Sequence, residues 1–248
     1  MTTETFFATD AGESLKRDII SMIKARSDAT PRGLQRELGP SEIGHPCMRR
    51  LAYGIMLVEK CNPSFDPLPS IIGTSVHKWL ESAAMHANTV LGRKRWHTET
   101  RVNINPSLSG SCDLYDADTQ TVVDYKVPGA SRMTAYKKHP GETYRTQVHL
   151  YGKGFQAAGL SVQTVAIMFL PRGGTLAGSH LWSEPYDETI ADAALGRREQ
   201  VLCLLNDFRA EENPESYEWF SRSGPDCMFC GWFSPNPGGP LQCGGVME

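Results

Sequence analysis

The sequence predicts a mixed β-sheet flanked by helices, in the α/β or α+β class. Two observations lead there: strand-length alternating or apolar runs cluster in mid-chain, and stretches with apolar residues at helical spacing bracket them. Residues 12–26 set Leu15, Ile19, Ile20 and Ile23 at that spacing. After a loop, Ser41 reads as a helix cap, and residues 47–56 form a short helix with Met48, Leu51, Ala52 and Ile55 on one side. The Pro-rich stretch 62–69 is a loop, and Ser70 caps a longer helix reaching Asn88. Strands are expected at 96–104 and 108–115, then a turn at 116–120, then a buried strand at 121–127 (TVVDYKV). A helix over 143–159 ends at a Gly cap. Strands at 162–170 and 175–183 flank the Pro171-Arg172-Gly173-Gly174 turn, and 187–211 is the last long helix.

The tail from Pro225 is rich in Gly, Pro and Cys, with too little aliphatic content for a core of its own. The 248 residues therefore divide into an N-terminal helix and loop (1–40), a core (41–224) and a cysteine-rich tail (225–248). With 40% hydrophobic and 21% charged residues, the composition is that of an ordinary globular protein. No apolar run has the about eighteen residues of a membrane span. Residues 1–10 carry acids and lack a basic flank before an apolar stretch, so no secretory signal is read and a cytoplasmic protein is expected.

A net charge of -3 does not mark a protein that coats nucleic acid. Locally the balance differs: Lys126, Arg132, Lys137, Lys138, Arg145 and Lys153 face the single acid Glu142, and Arg93, Lys94 and Arg95 form a second cluster. Taken alone, each is a solvated face. Seven cysteines are many for the cytosol, where clustered thiols bind metal more often than they pair, and the odd number argues against a complete disulfide framework.

Four pieces fit one active site. Gly110-Ser-Cys-Asp113-Leu-Tyr puts an acid in mid-strand. In Val122-Val-Asp124-Tyr-Lys126 an acid and a lysine two apart emerge from the same face of an apolar strand, where unpartnered charge is costly. Gly73-Thr-Ser-Val-His77-Lys-Trp-Leu-Glu81 sets His77 and Glu81 four apart on a helix, and Gln147-Val-His-Leu-Tyr151 does the same for Gln147 and Tyr151. Singly these are ordinary: an ion pair, a lone histidine, a chance helix pair. Hard oxygen donors such as Asp113 and Asp124 suit Mg2+ or Mn2+, with His77 adding a nitrogen that shifts preference toward Mn2+.

In this order, histidine helix, acid strand, Asp-x-Lys strand and Gln-x-x-x-Tyr helix, the chain resembles the RecB-like branch of the PD-(D/E)xK nucleases over roughly residues 41–248. The resemblance implies a restriction-endonuclease-like core and a Mg2+- or Mn2+-dependent exonuclease acting on DNA with free ends. It makes Asp113, Asp124, Lys126, Gln147 and Tyr151 the active-site residues, with His77, Asp113 and Asp124 on the ion. Lys126 would orient the attacking water or stabilise the transition state; Gln147 and Tyr151 would position DNA; Glu81 would stand behind them. Cys112 replaces the proline of the family's label.

Cys227-Met-Phe-Cys230 is a two-residue-spaced pair with Cys243 further on, and Cys47 lies far upstream in Ser41-Glu-Ile-Gly-His-Pro-Cys47-Met-Arg-Arg-Leu-Ala-Tyr53. One upstream cysteine and three downstream resemble the iron–sulfur members of this branch, such as the AddB nuclease domain and the CRISPR-adaptation exonucleases. That implies a [4Fe–4S] cluster on Cys47, Cys227, Cys230 and Cys243, joining the two ends of the chain. The long gap before Cys243 makes Cys61 a reserve ligand, and four cysteines also suit structural Zn2+. Cys112 and Cys203 read as buried single cysteines. Arg49 and Arg50 would lie near the cleft and join Lys137, Lys138 and Arg145 in binding DNA phosphate. The size of the chain suggests a stand-alone phage-type enzyme working with a single-strand annealing protein. Two rivals are a non-catalytic DNA-binding module on the same fold, and a zinc-stabilised binding protein in which Asp124 and Lys126 are only an ion pair.

Overall fold

The computed structural model describes residues 10–29, 38–62, 66–224 and 227–246. Helix α1 (Asp10–Asp28) leads, and its apolar residues Leu15, Ile19, Ile20, Met22 and Ile23 are exposed. The short α2 (Pro40–Ile43) starts after Gly39, so Ser41 lies inside it instead of capping it; Glu42 reaches back to accept from the Gly39 amide at 3.2 Å. Helix α3 (Met48–Ile55) is capped by Cys47, whose sulfur accepts from the Arg50 amide. Helix α4 (Leu68–Leu91) begins two residues before Ser70, directly after Pro67, and ends at Gly92, whose φ of 66° suits a residue without Cβ.

Strands β1 (Trp96–Asn105), β2 (Leu108–Asp116) and β3 (Thr121–Lys126) form an antiparallel meander. The chain then crosses through α5 (Ala130–Tyr136), which the sequence reading missed, and α6 (Glu142–Ala157) to β4 (Thr164–Phe169), parallel to β3. Strand β5 (His180–Pro185) closes the five-stranded sheet in sequential order. It starts later than expected, because Leu176–Gly178 turns as a short 3-10 helix. Helix α7 (Glu188–Asp207) is capped by Asp187, which accepts from the Thr189 amide. This is the mixed sheet flanked by helices that the sequence predicts. Among the described residues, no helix is long and apolar enough to cross a membrane.

Helix α6 is the central element, burying Val148, Leu150, Tyr151 and Phe155 against the sheet. A second core joins Leu51, Ala52 and Tyr53 of α3 to Val201 and Leu205 of α7 and to Tyr217, Phe220 and Trp232 near the C-terminus. The tail thus packs through aromatics rather than aliphatics: Tyr53 and Trp232 lie 5.7 Å apart, and the Tyr53 hydroxyl donates to the Pro240 carbonyl at 2.6 Å. The cysteine reading is half right here, since Cys112 is buried but Cys203 is exposed.

Candidate active site

Three elements bring carboxylates and an imidazole to the floor of a cleft of about 1650 Å³. Asp113 sits in the middle of β2, one oxygen 3.1 Å from His77 Nδ1 on α4 and the other accepting the Tyr125 amide at 2.6 Å. The sequence reading missed the third member. Glu99 on β1 lies across from Asp113, and ligating atoms of His77, Glu99 and Asp113 all fall within 4.8 Å of one another. Its φ of 44° is left-handed, a conformation that costs an L-residue about 1–2 kcal/mol and turns up where function demands it. The available signal was Glu99 on the strand ahead of Asp113.

Asp124 and Lys126 emerge together from β3, as an i, i+2 pair must, and form an ion pair. Asp124 is buried; its other oxygen accepts from Gln147 Nε2 at 3.1 Å, and that same amide nitrogen donates to the Tyr151 hydroxyl at 3.2 Å. Gln147 Oε1 is buried without a hydrogen-bond partner among the described residues. The Lys126 ammonium stands 4.7 Å from the centre of the Tyr144 ring. The structure thus brings His77, Asp113, Asp124, Lys126, Gln147 and Tyr151 into one cleft, with Glu81 and Glu99 on its lining.

The electrostatics show a site short of positive charge. Burial first, and then the Asp113 charge against the opposing pull of Lys126, push the Asp124 carboxyl up to about 6. Burial and Asp113 likewise raise Glu99. Burial works against the charged form of His77, yet its hydrogen bond to Asp113 and the nearby acids leave its pKa raised. A divalent cation would reverse the carboxylate shifts. The donors, a half-buried imidazole and carboxylate together with the exposed Glu99 carboxylate on its left-handed backbone, fit such an ion. Asp124 stands outside the tight triad, its oxygens turned to Lys126 and Gln147.

The basic residues separate. Arg49 is buried and donates to the Glu218 carbonyl at 2.6 Å, so its guanidinium is not presented to the cleft. Arg145 is paired with Glu184 at 2.6 Å, and Lys137 and Lys138 are exposed but outside the cleft lining. Arg93 and Arg95 are held by Asp118 and Asp116. The cations on the cleft lining are Lys60, Lys78, Arg101 and Lys126.

A second cavity is lined by Cys47, Cys227, Cys230 and Cys243, with Arg50 and Arg222 beside them. Cys47 takes a 3.4 Å bond from the Arg50 amide, and Cys243 a 3.4 Å bond from the Gly245 amide. The long gap before Cys243 is closed by backbone pairing, with the Cys243 amide on the Trp232 carbonyl at 2.8 Å and the Ser234 amide on the Cys243 carbonyl at 2.9 Å. Cys61 is exposed and outside this cavity, its thiol directed at the Phe233 carbonyl. Four sulfurs lining one cavity, two of them accepting backbone amides, are a donor set that suits a cysteine-ligated group, while burial pushes the Cys230 thiol up.

No protein-family model matches the chain, and a search of curated proteins returns none. Solved structures do align with it. An alkaline exonuclease from Laribacter hongkongensis matches at TM-score 0.49 and 12% identity, covering 74% of this chain and 95% of that one. The same protein in complex with dAMP matches at 0.49 and 13%, covering 71% and 93%. A phage-related exonuclease from Haemophilus somnus 129PT matches at 0.45 and 14%, covering 67% and 82%.

Proposed function

We propose that the chain is a divalent-metal-dependent deoxyribonuclease that shortens DNA from its ends, with a [4Fe–4S] cluster clasping its N- and C-terminal segments. The observation that carries the reading is the triad His77, Glu99 and Asp113 beside the ion pair of buried Asp124 with Lys126, at the floor of a cleft of about 1650 Å³. A structural ion pair alone would account for Asp124 and Lys126. It would not account for a third, conformationally strained carboxylate drawn toward Asp113.

His77, Glu99 and Asp113 would hold Mg2+ or Mn2+, with Asp124 adjoining. The ion would neutralise phosphate charge and acidify a water for in-line attack. Lys126 holds an ammonium over the same floor, placed to stabilise the charge that develops on the phosphate, and Asp124 fixes its direction. Gln147 orients Asp124 through its amide nitrogen. The end-directed mode follows the motif order rather than any one residue.

Cys47, Cys227, Cys230 and Cys243 would hold the cluster, which supplies stability that the Gly- and Pro-rich tail lacks and closes a loop spanning most of the chain. Zinc is the alternative occupant, and the preference for a cluster rests on the resemblance of the cysteine layout.

Anaerobic purification followed by a visible spectrum, by iron, sulfide and zinc analysis, and by digestion of DNA with Mn2+ tests both halves. A brown, iron- and sulfide-bearing protein that degrades DNA only with the added ion is expected. A colourless, zinc-bearing protein that leaves DNA intact would favour the binding-module reading.

A further inference from the structure

One wall of the cleft has a pattern that the chemistry at the acids does not use. Along the β1–β2 hairpin Arg101, Asn103 and residues 105–111 line the cleft, the polar side chains among them being Arg101, Asn103, Asn105, Ser107, Ser109 and Ser111. Val102, Ile104, Leu108 and Cys112 are buried in the core, with Leu108 also meeting the cleft wall. Continued inward, the cleft-facing rows end at Glu99 and Asp113. One hairpin therefore carries Glu99 and Asp113 at its base and amides, hydroxyls and a single guanidinium out to its tip, with a register shift between Asn103 and Asn105. Arg101 pairs with Ser111 and Asn103 with Ser109 across the strands, and Arg101 also donates to Ser109 Oγ at 2.6 Å.

This composition works against the strand. Asn and Ser are poor β-formers, and an ordinary solvated strand face carries Thr and long charged residues instead. What these side chains offer is short reach, neutral hydrogen-bond donors and no carboxylate between tip and acids. We propose that the row is a binding track for the sugar–phosphate backbone of one nucleic-acid strand, leading its scissile phosphate to Glu99 and Asp113; this rests on the nuclease reading. Six residue steps from Glu99 to Asn105 span about 20 Å at about 3.4 Å each. At an axial rise of about 3.4 Å per nucleotide of a stacked duplex strand, that length serves at most about six nucleotides. Neutral donors to phosphate and sugar position a strand without reading its bases, so the track is indifferent to sequence.

The test is fluorescence anisotropy of labelled single strands of about three, six and twelve nucleotides in EDTA, comparing wild type with Arg101→Gln and with Arg101→Gln/Asn103→Ala. Wild-type affinity is expected to climb to six nucleotides and then level. The double variant should lose about tenfold on the two longer strands and much less on the shortest. Its slope of log K against log salt should be shallower by about 0.7. An equal loss at every length, or none at any, would overturn the track and leave the wall a solvated face. Length-dependent binding by a wild type that cleaves nothing in Mn2+ would instead sink the nuclease reading while keeping the track.

Discussion

Replacing Glu99 with glycine should make the metal-free protein more stable while removing its response to divalent ions. The φ of 44° at Glu99 costs about 1–2 kcal/mol in an L-residue, a strain that glycine does not feel. Against that gain stands the entropy of a glycine in a strand, about 0.5–1 kcal/mol. The change also removes a carboxylate that burial and Asp113 already disfavour. The net expectation is a gain of about 1 kcal/mol in EDTA, or about 2–4 °C in Tm for a chain of this size. In wild type, Mn2+ at about one hundred times its Kd adds about 2.7 kcal/mol, and the variant, with one of three ligands gone, should show little of it. Urea unfolding followed by tryptophan fluorescence, in EDTA and in Mn2+, reads both quantities. A variant that loses more than about 1 kcal/mol in EDTA, or keeps the full Mn2+ effect, would refute the claim that the strain serves metal binding.

Gly110→Ala would set a Cβ 2.7 Å from Pro40 Cγ and 3.0 Å from Tyr151 Cε1. Neither ring can yield cheaply, so a loss of about 1–3 kcal/mol in urea stability is expected, with reduced activity because Tyr151 is displaced. Arg95 holds the Asp116 carboxyl down at about 2, below its ordinary 3.8. Because the folded-state value is depressed, the contribution is present above about pH 4 and is lost as pH falls toward 2. The stability advantage of wild type over Asp116→Asn should therefore shrink across that window, and an advantage unchanged at pH 2 would contradict it. Cys243→Ser should lose bound iron on anaerobic purification and become protease-sensitive at its C-terminus, whereas Cys61→Ser should keep its iron; the reverse pattern would reassign the ligand.

Where the sequence was legible, a local rule was sufficient. The i, i+2 rule placed Asp124 beside Lys126, the i, i+4 rule placed Gln147 beside Tyr151, and apolar runs located all five strands. Caps were less legible, because Ser41 and Ser70 are good capping types one or two residues inside helices that Gly39 and Pro67 actually begin. Glu99 escaped because its part in the site depends on cross-strand register and a left-handed φ, neither of which leaves a periodic trace. Arg49 was misjudged for a related reason: two adjacent arginines read the same until the fold buries Arg49 and leaves Arg50 half-buried. The cleft wall between Arg101 and Ser111 was hidden by its neutrality, since charge was the feature sought in a nucleic-acid surface.

The most direct test of the account is digestion of end-labelled linear duplex and of closed circular DNA, in Mn2+ and in EDTA, by wild type and by Asp124→Asn. The account predicts shortening of the linear DNA by wild type in Mn2+ alone, an intact circle, and a loss of at least about a hundredfold in the variant at unchanged fold. Linear DNA left intact by wild type, or cut equally well by Asp124→Asn, would contradict it.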